Sequence, residues 1–265
     1  MLRLLDARIG SYAEVRPARP GLLRVCAHAP GGAGGLDIAG LRVLLIADLL
    51  ARTAELGRDL QVLTVLAFAG QPSGPLATFE QAADALGIHP PAICASGQDA
   101  HTSLGGPIDI HLVSDDASVD GGQSSLVVRV AAAHMAGNQD EAEAGNLLPG
   151  HGHDPLAIRL ALMTFPYHQP AGLAEGLLTS ARETVGHWRH QVAEWAELPS
   201  RPIPAPTAAT ARAAFGDLDT VRVLALLREL ALDAGVPTGA KFETFLFADR
   251  ILGLDLAREI GQPRG

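Results

Sequence analysis

Residues 22–68 constrain the fold most. LLRVCAHA, PGGAGG, LDIAGLRVLLIADLLARTAEL and LQVLTVLAF follow one another there as a β-prone run, a glycine loop, a helical run and a second β-prone run. From Ala39 to Leu56 the polar residues Asp48, Arg52 and Glu55 recur at helical spacing among nearly continuous apolar positions, so the helix is buried over most of its circumference. Gly57 is the expected stop, at the position after the helix where glycine is favoured. The run over 60–68 is too uniformly apolar for a half-exposed strand and suits a parallel strand covered on both faces. Together these segments predict one right-handed βαβ unit. Such a unit often opens a nucleotide site, yet residues 34–66 hold no histidine or lysine. Asp37 and Asp48 put carboxylates where a phosphate would be repelled.

With 265 residues the chain can form one large α/β domain, or a core domain with a helical appendage. Hydrophobic residues make up 48% and charged residues 18%, the profile of a soluble globular protein. The net charge of -9, without a run of Lys or Arg, argues against a surface built for a nucleic-acid backbone. No leader-like segment or apolar run of spanning length is present, so the expected location is cytoplasmic, with no membrane partner. The two cysteines, Cys26 and Cys94, read as separate buried thiols or as metal ligands.

Further along, TFEQAADALGI is helical, and PIDIHLV (107–113) and SSLVVRVAAAHM (124–135) are strand-like additions to the same sheet. From Asp154 the pattern turns helical, with Asp154 as N-cap and Pro155 at the first helical position. A long amphipathic helix follows over GLAEGLLTSARETVGHWRHQVAEWAEL, then a proline-rich linker near 199–207, then helices over DLDTVRVLALLRELALDAG and FETFLFADRILGLDLAREI. The expected organisation is an α/β domain over 1–150 and a helical domain over 151–265.

The opening MLRLLDARIGSYAEVRPARPGLLRVCAHAP, then FEQAADALGIHPP, PIDIH, HDPLAIRLALMTFPYHQP and FGDLDT, occur in the order of corresponding segments in a known family. On these residues the chain resembles the catalytic domain of class I cysteinyl-tRNA synthetases and their relative, the mycothiol cysteine ligase. The resemblance implies a Rossmann-like core, a parallel sheet flanked by helices, followed by a C-terminal helical bundle. It also implies a chain that lacks most of the family's inserted connective peptide and its anticodon-binding region.

Two family signatures look eroded. At the position of the HIGH motif stands DIAG, with Asp37 for the first histidine and Gly40 for the second. At the position of KMSKS stands QDEAEAGN (139–146), of which only Gly145 and Asn146 match; Gln139 and Ala142 replace the two lysines. Losing one preorganised donor costs about 3–4 kcal/mol of transition-state stabilisation. Losing four should abolish adenylate formation even when the effects are not additive. ATP therefore counts as an eroded cofactor, with Asp37, Gly40, Gly145 and Asn146 marking its former site.

The resemblance further implies zinc, which the family holds with a thiolate at the end of the first strand, a second cysteine, a His and a Glu. Cys26 stands at the matching strand end, Cys94 matches the second cysteine, and His111 in DIH is the candidate imidazole. His101 or His28 could substitute, and His28 lies two residues from Cys26 on the same strand face. The family's His-His-Glu-Asn-Glu run is replaced here by LVSDDAS. Other features have both a bland and a sharper reading. HGHDP (151–155) is a solvated turn or a metal pair, His187 and His190 beside Trp188 are surface residues or a pocket, and GGAGG is a loop or a phosphate cradle.

The functional expectation is a synthetase-like protein impaired in amino-acid activation. Its partner would be an aminoacyl- or nucleoside-like small molecule, or another protein for which it is a scaffold. The alternative is an active ATP-dependent ligase joining cysteine or another amino acid to a small-molecule amine or tRNA, with tRNA disfavoured by the acidic balance.

Overall fold

The computed structural model describes residues 1–28, 37–68, 76–94, 99–114, 119, 125–136 and 153–262. The βαβ unit forms as its pattern requires. Strand β3 (Leu22–His28) leads through α1 (Ile38–Arg58) to β4 (Gln61–Ala67), which pairs parallel to β3 with Cys26 opposite Val65. Helix α1 is buried almost all round because it lies between two layers: it touches β3, β4, β6 and β7 on one side and α6 and α8 on the other. Its leucines 41, 44, 45, 49 and 50 are all buried, and each full burial contributes about 1.5–3 kcal/mol.

The helix ends later than glycine preference indicates. Gly57 remains inside α1, and Asp59 takes the left-handed conformation at φ 54°, its amide donating to the Ala54 carbonyl. Aspartate tolerates this region better than most residues do, so the helix runs one residue past the glycine and is capped at Asp59.

The chain continues through α2 (Leu76–Ala85) to β5 (Ala92–Cys94), parallel to β4, and through α3 (Asp99–Ser103) to β6 (Ile110–Ser114), which returns to the other side of β3. Strand β7 (Leu126–Val130) adds parallel to β6. Two N-terminal strands, β1 (Arg3–Asp6) and β2 (Ser11–Glu14), complete an edge antiparallel. The sheet order among the described residues is β2-β1-β7-β6-β3-β4-β5. The fold is thus α/β, a largely parallel sheet flanked by helices.

The stretch 124–135 does not all join that sheet. After Val130 the chain turns away, and β8 (Ala133–Met135) pairs with β9 (Ala171–Leu173) in a separate two-stranded sheet. At this turn the buried guanidinium of Arg42 on α1 donates to the carbonyls of Ala131, Ala132 and Pro166, and the Ala132 carbonyl also accepts from the Ala171 amide of the second sheet. Helix α4 (Pro155–Met163) starts as expected, the Asp154 carboxylate accepting from the Leu156 amide. Helices α5 (Glu175–Trp195), α6 (Ala205–Gly216), α7 (Thr220–Leu232) and α8 (Thr238–Leu252) form the C-terminal bundle. Residues 205–207 of the expected linker belong to α6, since a proline in the first turn lacks only an amide hydrogen that the helix leaves unbonded anyway. One apolar core runs from Leu2 and the sheet through α1 into α4–α8.

Candidate functional site at the switch point of the sheet

From β3 the chain winds one way to β4 and β5, then crosses back to β6 on the opposite side. In open α/β sheets ligands bind at such a reversal, outside the carboxyl ends of the strands. Here the reversal lies between β3 and β6. Along β3 the side chains alternate: Val25 and Ala27 join the core shared with α1, while Cys26 joins Val65, Ala67, Ala100, Leu104 and Ile108 on the face covered by α3.

Cys26 pairs in register with His111, so both point to one face, and His28 follows two residues on. The Cys26 sulfur and one nitrogen from each imidazole lie within 4.8 Å of one another. His28 Nε2 and His111 Nδ1 are 3.0 Å apart, and the rings stack at 5.3 Å with 28° between their planes. Cys26 is a fully buried thiol, His111 is buried, and His28 is half-buried at the strand end. Burial lowers both imidazoles to about 4, and for His111 the nearby His28, His101 and Arg8 act in the same direction. Both rings are therefore neutral at neutral pH, and each retains one unprotonated nitrogen.

The expected ligands are only partly brought together. Cys26 and His111 meet, and His28 joins them. Cys94 lies on β5, beyond β4 from Cys26, its backbone opposite Ala67; its side chain is outside the described residues. His101 is exposed on α3. Asp109, just before β6, fixes the strand beside the cluster: its carboxylate accepts from the amides of Ala18 and Arg24, and its own amide donates to the Arg24 carbonyl.

At the start of α1, the Asp37 carboxylate accepts from the amides of Ala39 and Gly40. Burial raises its pKa, while the bonds from Gly40 and Ala39 pull it back. Gly40 is buried in the first helical turn. The amides that a phosphate would use at a helix start thus already serve an internal carboxylate.

Asp48 is not part of this edge. It lies three turns further along α1, about 16 Å from Asp37 along the axis. Its buried carboxylate accepts from Arg159 at 2.7 Å, Arg52 at 2.9 Å and His89 Nδ1 at 2.8 Å. Burial alone would raise its pKa, but the charges of Arg159 and Arg52 with these hydrogen bonds outweigh that and hold it below the usual carboxylate value. A cavity of about 260 Å³ beside it, lined in part by Asp48, Glu55, Thr64 and His89, opens at the amino ends of β4 and β5, away from the Cys26 cluster.

Gly145 and Asn146, with the rest of 139–146, lie outside the described residues, as do the GGAGG loop and His151. His153 stands 3.9 Å from Glu175. His187 and His190 are exposed on α5 while Trp188 turns into the core against Phe245, so these three residues form no common pocket. The Asp48–Arg159 pair carried no sequence signal, because its partners are 111 residues apart.

No protein-family model matches the chain. Its fold is similar to that of a Campylobacter jejuni protein described as an arginyl-tRNA synthetase, with a TM-score of 0.56 and 9% identity over 90% of this chain and 89% of that one. At that identity the likeness concerns the fold. In sequence, 110 residues are 36% identical to the L-cysteine:1D-myo-inositol 2-amino-2-deoxy-alpha-D-glucopyranoside ligase of Segniliparus rotundus. The match spans 40% of this chain and 25% of the ligase's length. Among the described residues no helix is long and apolar enough to cross a membrane.

Proposed function

We infer that the chain is a cysteine-ligase-like protein that binds an aminoacyl- or nucleoside-like small molecule at the carboxyl edge of its sheet without activating it as an adenylate, or that offers this edge to a protein partner. The observation that carries the reading is the Asp37 carboxylate bonded to the Ala39 and Gly40 amides. A helix start attracts phosphate through open amides and a positive dipole end; here both are met by a carboxylate. A phosphate oxygen brought within about 4 Å of that carboxylate meets a repulsion of about 4 kcal/mol at an effective dielectric constant of 20. The absence of lysine from 139–146 supports the same reading, since nothing in that stretch neutralises a leaving pyrophosphate. The net charge of -9 leaves tRNA outside the proposed partners.

A second reading, an active ATP-dependent ligase joining cysteine or another amino acid to a small-molecule amine, is favoured by the 36% identity to the Segniliparus enzyme. ATP–pyrophosphate exchange with purified protein and a panel of amino acids separates the two. The first expects no exchange above background with any amino acid. Robust cysteine-dependent exchange establishes the second and removes the first.

A further inference from the structure

The zinc set implied by the family resemblance does not map onto this chain. β-strands lie about 4.8 Å apart, so the Cys94 backbone, two strands over and two residues further along than Cys26, is roughly 11–12 Å from it. Two thiolates on one zinc stand about 3.7 Å apart at sulfur. That backbone separation is too large for the pair of cysteines the family uses. The stretch after DIH also carries LVSDDAS in place of the family's second histidine run.

We propose that the chain holds a borderline-soft divalent metal, zinc foremost, through a different set: Cys26 and His28 from β3 and His111 from β6. Tetrahedral zinc places two imidazole nitrogens about 3.3 Å apart, and a nitrogen and a sulfur about 3.6 Å apart. The facing nitrogens of His28 and His111 are already at 3.0 Å, and the whole trio lies within 4.8 Å. Rotation of side chains by about 1 Å therefore closes the site without backbone movement.

The surroundings support this occupant. Val65, Ala67, Ala100, Leu104 and Ile108 form an apolar shell around Cys26. A metal held there gains from the low dielectric, where a thiolate–cation attraction is weakly screened. The nearby Arg8 guanidinium is neutralised by Asp6, which it meets at 2.9 Å. Cysteine with two imidazoles selects Zn²⁺ or Co²⁺ over Mg²⁺ or Ca²⁺. Three protein ligands leave a fourth position for water or a small ligand at the sheet edge. The proposal stands apart from the reading on ATP activation, because metal binding is measured without any turnover.

The test is metal analysis of the full chain, stripped with chelator and reloaded with Zn²⁺ or Co²⁺. The expected result is one metal per chain, with the Co²⁺ form showing tetrahedral d–d bands and a sulfur-to-cobalt charge-transfer band. His28→Gln and His111→Ala should weaken metal affinity by more than about tenfold, the smaller of the effects seen even for outer-shell changes. Cys26→Ser should remove the charge-transfer band, while Cys94→Ser should leave both affinity and spectrum unchanged. His28 is only half-buried, so its variant keeps the test independent of core disruption. Binding well below one metal per chain in the wild type overturns the proposal. So does metal retained at full affinity by His28→Gln, or metal and charge-transfer band lost in a folded Cys94→Ser protein.

Discussion

Replacing Arg159 by methionine tests whether α1, α4 and the end of α8 are held by one buried charge. The guanidinium is completely buried and donates to Asp48 Oδ2 at 2.7 Å, to the Leu86 carbonyl at 2.9 Å and to the Leu252 carbonyl at 2.5 Å. Methionine fills much of the volume but donates nothing. Breaking a buried pair from one side costs about 3–5 kcal/mol, and two buried carbonyls lose their donor as well. Arg52 and His89 still serve Asp48, which keeps the expected loss near 4 kcal/mol, about 10 °C or more in melting temperature for a chain of this size. Arg52→Ala, whose guanidinium is partly exposed, should cost about 1 kcal/mol. The pH dependence adds a second readout. Asp48 has a lowered pKa in the fold, so its contribution is present above the unfolded value near 4 and is lost as pH falls through the folded value. The stability gap between wild type and Arg159→Met should therefore narrow below about pH 4. Urea unfolding of both proteins from pH 7 to pH 3 supplies the data. A loss under about 1 kcal/mol at pH 7, or one equal to that of Arg52→Ala, refutes the assignment of Arg159 as the staple.

Two further outcomes follow from the described contacts. Asp37→Ala should destabilise by about 1 kcal/mol through loss of the cap, while Asp37→Asn should change stability by only a few tenths, since both caps accept from the helix amides; denaturant titration compares them, and equal losses would contradict the capping role. Tyr167, whose oxygen accepts from the Leu5 amide at 2.9 Å, is raised to about 12, mainly by burial. Its folded pKa exceeds the unfolded value near 10, so its contribution is complete below pH 10 and is lost as pH rises toward 12. Tyr167→Phe should cost about 1–2 kcal/mol at pH 7 and reduce that alkaline slope in unfolding curves.

The parts of the fold legible in sequence are those fixed by local pattern. A run such as 39–56, whose few polar residues recur at helical spacing among apolar ones, reads as a helix buried on most of its circumference, and Asp154-Pro155 carries its own start signal. The parts that were not legible depend on distant contacts. Nothing near Gly57 indicates that Asp59 will take the left-handed turn instead. Nothing near Ala131 indicates that Arg42, 89 residues away in sequence, will donate to its carbonyl where β7 ends. The cluster lies between these cases. The Cys-x-His spacing on a strand puts Cys26 and His28 on one face from sequence alone. Which third residue completes them depends on which strand lies beside β3, and only the crossover that brings β6 there, in the register Cys26 opposite His111, selects His111 over His101. The same reversal is where open α/β sheets bind ligands, outside the carboxyl ends of the strands. On the proposed reading, the topology that assembles the three donors is also the one that places them at a ligand-binding edge, where Asp37 at the next helix start disfavours an anion.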